Sequence, residues 1–277
     1  METRKIYSKN ADYQRFEVLK TNRAKRTKMG VFLCEGVRSL NEAKAKGWEI
    51  ESLIFPMEKR LSGWAADMLR SIKTQCNFAV KEELLDELSG KGDSSELMAI
   101  IRQKKDEPER ILDGLSANPV VALFDRPSNH GNLGTIIRSA DALGIEALIL
   151  TGHGVDLYDP AVVTSTMGSF FNLPVLRLYS NREIEAFFAA LKARYDRFQI
   201  LGTTAHATDM IYDVNLTLPT LFLIGNETEG LTQHYRSICD RQVKIPMAET
   251  SYASSFNVGC AATVLFYEAA RQRGLRS

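Results

Sequence analysis

The sequence predicts an α/β protein, with a C-terminal parallel-sheet domain preceded by a smaller α/β domain. Three observations predict it. Short apolar runs alternate with helical patterns, as expected of strands buried on both faces and joined by crossover helices. A charged stretch holding Pro, Gly and Asn, KKDEPERILDGLSAN at 104–118, interrupts that alternation. The loops after the later apolar runs are rich in Gly, Asn, Ser and Glu, and the carboxyl ends of parallel strands are where such sheets take ligands. The expected division is 1–104, a linker over 105–118, and 119–277.

In the first part, VFLCEG (31–36) reads as a strand and VRSLNEAKAKG as a helix ending at a glycine cap, Gly47. ESLIF then reads as a strand and SGWAADMLRSIK as a helix, followed by the short apolar segment FAV and by ELMAIIRQ, in a small alternating β/α domain of about a hundred residues. In the second part the expected strands are 119–124, 147–151, 174–178, 199–203, 220–225 and 242–245. Helical patterns cover 132–143, 182–197 (with Asn181 as a cap), 229–238 and 257–273, the last with a small apolar face of Ala261, Val264, Leu265 and Ala269.

Composition narrows the class. Apolar content of 44% and charged content of 25% are those of a soluble globular protein. No eighteen-residue apolar span occurs, and METRKIYSKN lacks the apolar stretch of a signal peptide. Cys34, Cys76, Cys239 and Cys260 are isolated, as reduced thiols of a cytoplasmic protein would be, and the four scattered histidines suggest no metal site. Net charge is +1, yet residues 1–30 carry nine Lys or Arg against Glu2, Asp12 and Glu17. Such a block is either a solvated helix face or a phosphate-backbone contact.

Three strand-end loops stand out: DRPSNHGNLGTIIR after Phe124, GNETEGL at 225–231, and PMAETSYASSFNVGCAA after Ile245. Singly, each has a plain explanation. The glycines permit turns, Asn132 caps a helix, Arg138 is a surface residue, and Ser254, Ser255 and Asn257 cap the last helix. Together they mark one edge of one sheet. The first loop is not a dinucleotide fingerprint, because a third glycine and a closing acidic residue are missing. It lacks the Gly-Lys-Ser/Thr of a triphosphate loop as well.

As a set, the loops resemble the SpoU/TrmH branch of the SPOUT superfamily, RNA ribose 2′-O-methyltransferases that use S-adenosylmethionine. The resemblance rests on Asn132, Gly134 and Arg138; on Gly225, Asn226, Glu227, Thr228, Glu229 and Gly230; and on Ile245, Pro246 and Met247 followed by Ser255, Phe256, Asn257 and Val258. It covers about residues 118–273, with Phe256 standing where the family has Leu. FLCEGVRSLNEAKAKGWEIESLIF resembles the substrate domains attached to several members, which share the fold of ribosomal proteins that bind bent RNA. The first loop is similar to that of thiostrepton-resistance enzymes, which act on large-subunit ribosomal RNA.

The resemblance implies a deep trefoil knot, which topology rules alone would disfavour, and a homodimer through the knotted domain. It implies S-adenosylmethionine held largely by backbone groups at Thr203, Gly225, Asn226, Ile245, Met247, Ser255 and Asn257. Arg138, Asn132, Glu227, Ser255 and Asn257 would form the catalytic set, with Glu227 pairing Arg138. Arg23, Lys25, Arg26 and Lys28, with Arg138, would contact RNA, and deleting 1–30 should lower RNA affinity alone. The expected substrate is 23S ribosomal RNA; the alternatives are transfer RNA or a module that binds RNA without catalysis.

Overall fold

The computed structural model describes residues 2–90 and 95–274. The chain divides into two units, one of 1–104 with 156–172 and one of 105–155 with 173–277.

The first unit is a five-stranded mixed sheet in the order β1 (Glu2–Ile6), β4 (Cys76–Val80), β3 (Ile50–Pro56), β5 (Met98–Arg102), β2 (Val31–Glu35). Helices α1 (Ala11–Thr21), α2 (Arg23–Met29), α3 (Val37–Ala45), α4 (Gly63–Ser71) and α5 (Glu82–Ser89) connect the strands. The basic N-terminal segment is part of this core. β1 pairs in parallel with β4, and Ile6, Tyr13, Phe16 and Leu19 are fully buried. Its alternation of charge and apolar residues is thus a half-buried pattern, so deleting 1–30 would dismantle the unit.

Arg26 corrects an expectation. It is 2% exposed, pairs with Asp156 at 2.7 Å and Asp159 at 3.0 Å, and donates Nη1 to the carbonyls of Leu19 and Lys20. A guanidinium so enclosed cannot meet RNA; it is an internal tie, and the carboxylates that neutralise it lie 130 and 133 residues away in sequence. Arg23, Lys25 and Lys28 are exposed.

Segment 156–172 departs from the expected boundaries for the same reason. It holds α8 (Pro160–Ser165) and a 3-10 turn, Ser169–Phe171. Phe170 lies 5.6 Å from both Phe32 and Trp48 between ring centroids, and the Trp48 indole donates to the carbonyl of Phe171.

The second unit is a seven-stranded sheet, parallel throughout, in the order β10 (Asp209–Met210), β12 (Arg241–Lys244), β9 (Gln199–Thr203), β11 (Thr220–Ile224), β6 (Val120–Asp125), β7 (Ala147–Thr151), β8 (Val175–Leu178). The expected strands are present; β10 was not foreseen, being only two residues long. Every residue of β6, β7 and β11 is buried, which is why their sequences run apolar without alternation. Helices α6 (Pro108–Leu112), α7 (His130–Ala142), α9 (Asn181–Arg194), α10 (Gln233–Ile238) and α11 (Val258–Gln272) belong to it. Residues 105–118, read as a linker, contain α6, and Ile111 and Leu115 pack into the core of this unit. Two caps shift by a turn or less. Asn129, not Asn132, caps α7, and Ser180 caps α9 in a capping box with Glu183. The apolar face of α11 also differs: Leu265 and Ala269 are buried with Ala262 and Phe266, whereas Val264 faces outward, 39% exposed.

Candidate active site

β12, β9, β11 and β6 are neighbours and parallel, so their carboxyl ends share one edge and the three loops converge there. Loop 225–231 folds back tightly. Asn226 and Gly230 exchange backbone hydrogen bonds at 3.1 and 2.9 Å, and a Cβ on Gly225 would lie 2.2 Å from the Gly230 carbonyl carbon. Only glycine fits at position 225. Between this loop, the end of β9 and the segment before α11 lies a cavity of about 350 Å³, within the range of roughly 300–1,000 Å³ typical of small-molecule sites.

Thr203, Gly225, Asn226, Ile245, Met247 and Ser255 all line this cavity; Asn257 does not. Two polar side chains among them are already engaged. Thr203 donates its hydroxyl to the Leu223 carbonyl at 2.8 Å, and Asn226 donates its amide to the Arg126 carbonyl at 2.8 Å while accepting from Thr228 N and Glu229 N. What these positions offer a ligand is therefore mostly backbone, beside apolar walls from Ile224, Val258 and Leu265. That combination suits the flat purine and short polar tail of an adenosyl cofactor. Sequence reading missed Arg236 and His206 on the wall, because neither lies in a motif.

Glu227 is the hub beside the cavity. Its carboxylate accepts from Ser128 N at 3.0 Å and Ser128 Oγ at 2.8 Å, from Asn129 N at 3.2 Å and from Asn132 Nδ2 at 3.4 Å. Asn132 Oδ1 in turn accepts from Asn257 Nδ2 at 3.1 Å, and Asn257 Oδ1 caps α11 by accepting from Gly259 N and Cys260 N. The amide orientations of both asparagines follow from this chain: each must point its nitrogen toward the acceptor upstream. Partial burial pushes the Glu227 carboxyl up, but the hydrogen bonds from the Ser128 hydroxyl, from backbone N–H groups and from Asn132 outweigh it and leave it below its ordinary value. Glu227 is thus held as an anion.

The expected Glu227–Arg138 pair is not formed. Among the described residues Arg138 makes no ion pair or side-chain hydrogen bond, and it does not line the cavity. The reason is helical geometry. Six residues separate it from Asn132, about 240° around the axis, so it stands on the exposed stripe of α7 with Gly131 and Thr135. The donors that serve Glu227 come instead from Ser128, Asn129 and Asn132, of which only Asn132 was singled out in sequence. Of the expected set, Asn132, Glu227 and Asn257 are joined; Ser255 lies on the cavity wall and Arg138 stands apart.

Residues 119–267 match the SpoU rRNA methylase family, and residues 10–99 match the SpoU L30e-like domain. This chain belongs to the SpoU rRNA methylase family. Among similar proteins, the 23S rRNA (uridine(2479)-2′-O)-methyltransferase of Streptomyces viridochromogenes is 42% identical, over 98% of this chain and 93% of its own length. The crystal structure of the SpoU methyltransferase AviRb from the same organism, in complex with AdoMet, superposes with a TM-score of 0.90 at 41% identity, covering 97% of this chain and 100% of that one. An AdoMet-bound rRNA methyltransferase from Sinorhizobium meliloti gives 0.84 at 25% identity, covering 99% of each.

Proposed function

We propose that this SpoU methylase transfers a methyl group from S-adenosylmethionine to a ribose 2′-hydroxyl of 23S ribosomal RNA. One observation carries the reading. A backbone-lined cavity sits where three strand-end loops of a parallel sheet meet, bordered by the hydrogen-bonded chain Glu227–Asn132–Asn257.

The donor supplies an electrophilic methyl on a good leaving group, so the protein's task concerns the hydroxyl. That oxygen must lie in line with the methyl carbon, at roughly 3–3.5 Å, and lose a proton whose pKa is far above neutral. The backbone of Thr203, Gly225, Ile245 and Met247 would hold the cofactor, with Ser255 near its polar end. Glu227 and the two asparagines fix the rim against which the ribose rests. Arginine keeps its proton in proteins, so Arg138 is assigned to clamp the phosphate beside the reacting ribose, the hydroxyl proton passing to phosphate or water.

The exposure of Arg138, outside the cavity lining, supports a two-chain site. Next to its stripe on α7, α11 exposes Val264 and Tyr267, the latter 58% exposed, and Ser139 and Thr263 tie the two helices at 2.7 Å. Two copies joined on this face would seat Arg138 at their boundary, within reach of RNA over the partner's cavity. The trefoil knot and a cytoplasmic location belong to the same reading; among the described residues no helix is long and apolar enough to cross a membrane.

The test is transfer from labelled S-adenosylmethionine to 23S and transfer RNA, followed by mapping of alkali-resistant linkages. Label on 23S RNA at such a linkage supports the proposal. Label on a base, on transfer RNA alone, or on neither despite calorimetric cofactor binding overturns it.

A further inference from the structure

Behind the hub lies a second polar chain that no part of the proposed reaction uses. Tyr235, the buried residue of α10, donates its hydroxyl to Thr151 Oγ1 at 3.0 Å, and Thr151 donates to Asp125 Oδ1 at 2.9 Å. All three residues are buried. Burial pushes the Tyr235 phenol up to about 12, so it remains a donor. Asp125 Oδ2 meets Arg126 Nε at 3.1 Å, and Arg126 Nη1 meets Glu229 Oε2 at 2.7 Å. The chain runs from the sheet interior to the outside of loop 225–231.

Arg126 itself is unusual. Its φ is 43°, left-handed backbone that a long side chain adopts only when its surroundings impose it. Those surroundings are visible. Arg126 N donates to the Thr151 carbonyl, its carbonyl accepts from Asn226, and its side chain lies on Gly152, where a Cβ would come within 2.6 Å of Arg126 Cγ. Two residues on, Ser128 begins the cradle of Glu227. Arg126 thus touches loop 225–231 at both Asn226 and Glu229, on either side of Glu227.

We propose that Arg126 is a positioning residue: clasped between Asp125 and Glu229, it sets loop 225–231 against loop 125–131 so that Glu227 meets its donors. It acts through Glu227 and Asn132, not on substrate. The inference rests on the methyltransferase reading, so one readout is independent of activity.

The variants are Arg126→Asn, because asparagine tolerates this backbone but reaches neither carboxylate, together with Glu229→Gln and the pair combined. Amide hydrogen exchange at 226–230 is expected to speed at least tenfold in each, without RNA present. In methyl transfer, kcat is expected to fall at least tenfold, with the KM for RNA within twofold. The double variant should be no worse than the worse single, since both changes undo the same clasp. Arg126→Lys, which keeps a cation beside Asp125, should recover part of kcat.

Unchanged exchange, or additive losses, overturns the proposal. So does a higher KM for RNA with a shallower salt dependence and preserved kcat, which would make Arg126 a phosphate contact. If Arg126→Asn does not fold, exposed Glu229 carries the test alone. Faster exchange in the variants of a wild-type protein inactive on any RNA would keep the clasp and remove the methyltransferase reading.

Discussion

Glu227 shows how much one side chain's neighbours decide. Four donors converge on a carboxylate that burial alone would tend to neutralise, and they hold its folded value below the ordinary 4.5. The linkage follows in sign: the loop's stabilisation is complete above the ordinary value and is lost as pH falls through the depressed folded value. Acidification below the ordinary carboxylate range should therefore open loop 225–231, as read by amide exchange at pH steps. Replacing Glu227 by Gln presents an amide nitrogen to donors, and kcat should drop by more than tenfold while the melting temperature changes by a few degrees. A Glu227→Gln protein that is simply unfolded would count against the positioning role. Arg138 is the opposite case, exposed and without a partner among the described residues. Arg138→Lys should leave thermal stability unchanged yet slow single-turnover transfer markedly, because a point charge lacks the planar fork that grips phosphate. A near-normal rate would remove Arg138 from the mechanism.

At the level of elements, the site depends on close backbone approach. Gly225→Ala would force its Cβ into the Gly230 carbonyl, so the loop must open; cofactor affinity should fall at least tenfold by calorimetry, with the sheet intact by circular dichroism. Much of this edge was legible in sequence, because Gly, Asn and Glu at the ends of apolar runs are not what a core requires. The lacing between loops was not. Ser128 and Arg126 sit in a stretch where any polar residue would have seemed natural, and their importance comes from partners about 100 residues away. The outward turn of Val264 was equally hidden, since period alone does not say which side of an apolar helix meets the sheet.

For the whole molecule, the N-terminal unit tests how charge is read. Lys25 and Lys28 are exposed, so reversing both to Glu should weaken RNA binding with melting unchanged. The slope of log affinity against log salt should flatten by about one for each phosphate no longer neutralised. Arg26→Ala leaves Asp156 buried and unpaired; destabilisation of about 3–5 kcal/mol is expected, by denaturant titration. Equal effects on RNA binding from all three positions would contradict the burial of Arg26. Val264→Asp with Tyr267→Asp should yield monomers in sedimentation if two copies meet on the α11 face, and a dimer that survives both changes would place the interface elsewhere.

The α/β class and the strand-end edge of the site can be read from residue order, because apolar period and the chemistry of turn residues are local properties written in consecutive positions; the family was legible only through the resemblance of three loop motifs to known members. Other outcomes emerge only on folding: Arg26 becomes a core ion pair, 156–172 joins the first unit, and Glu227 is served by Ser128 instead of Arg138. They depend on which distant residues share a space, and the hydrogen bonds and ion pairs that fix them carry no periodic signature along the chain.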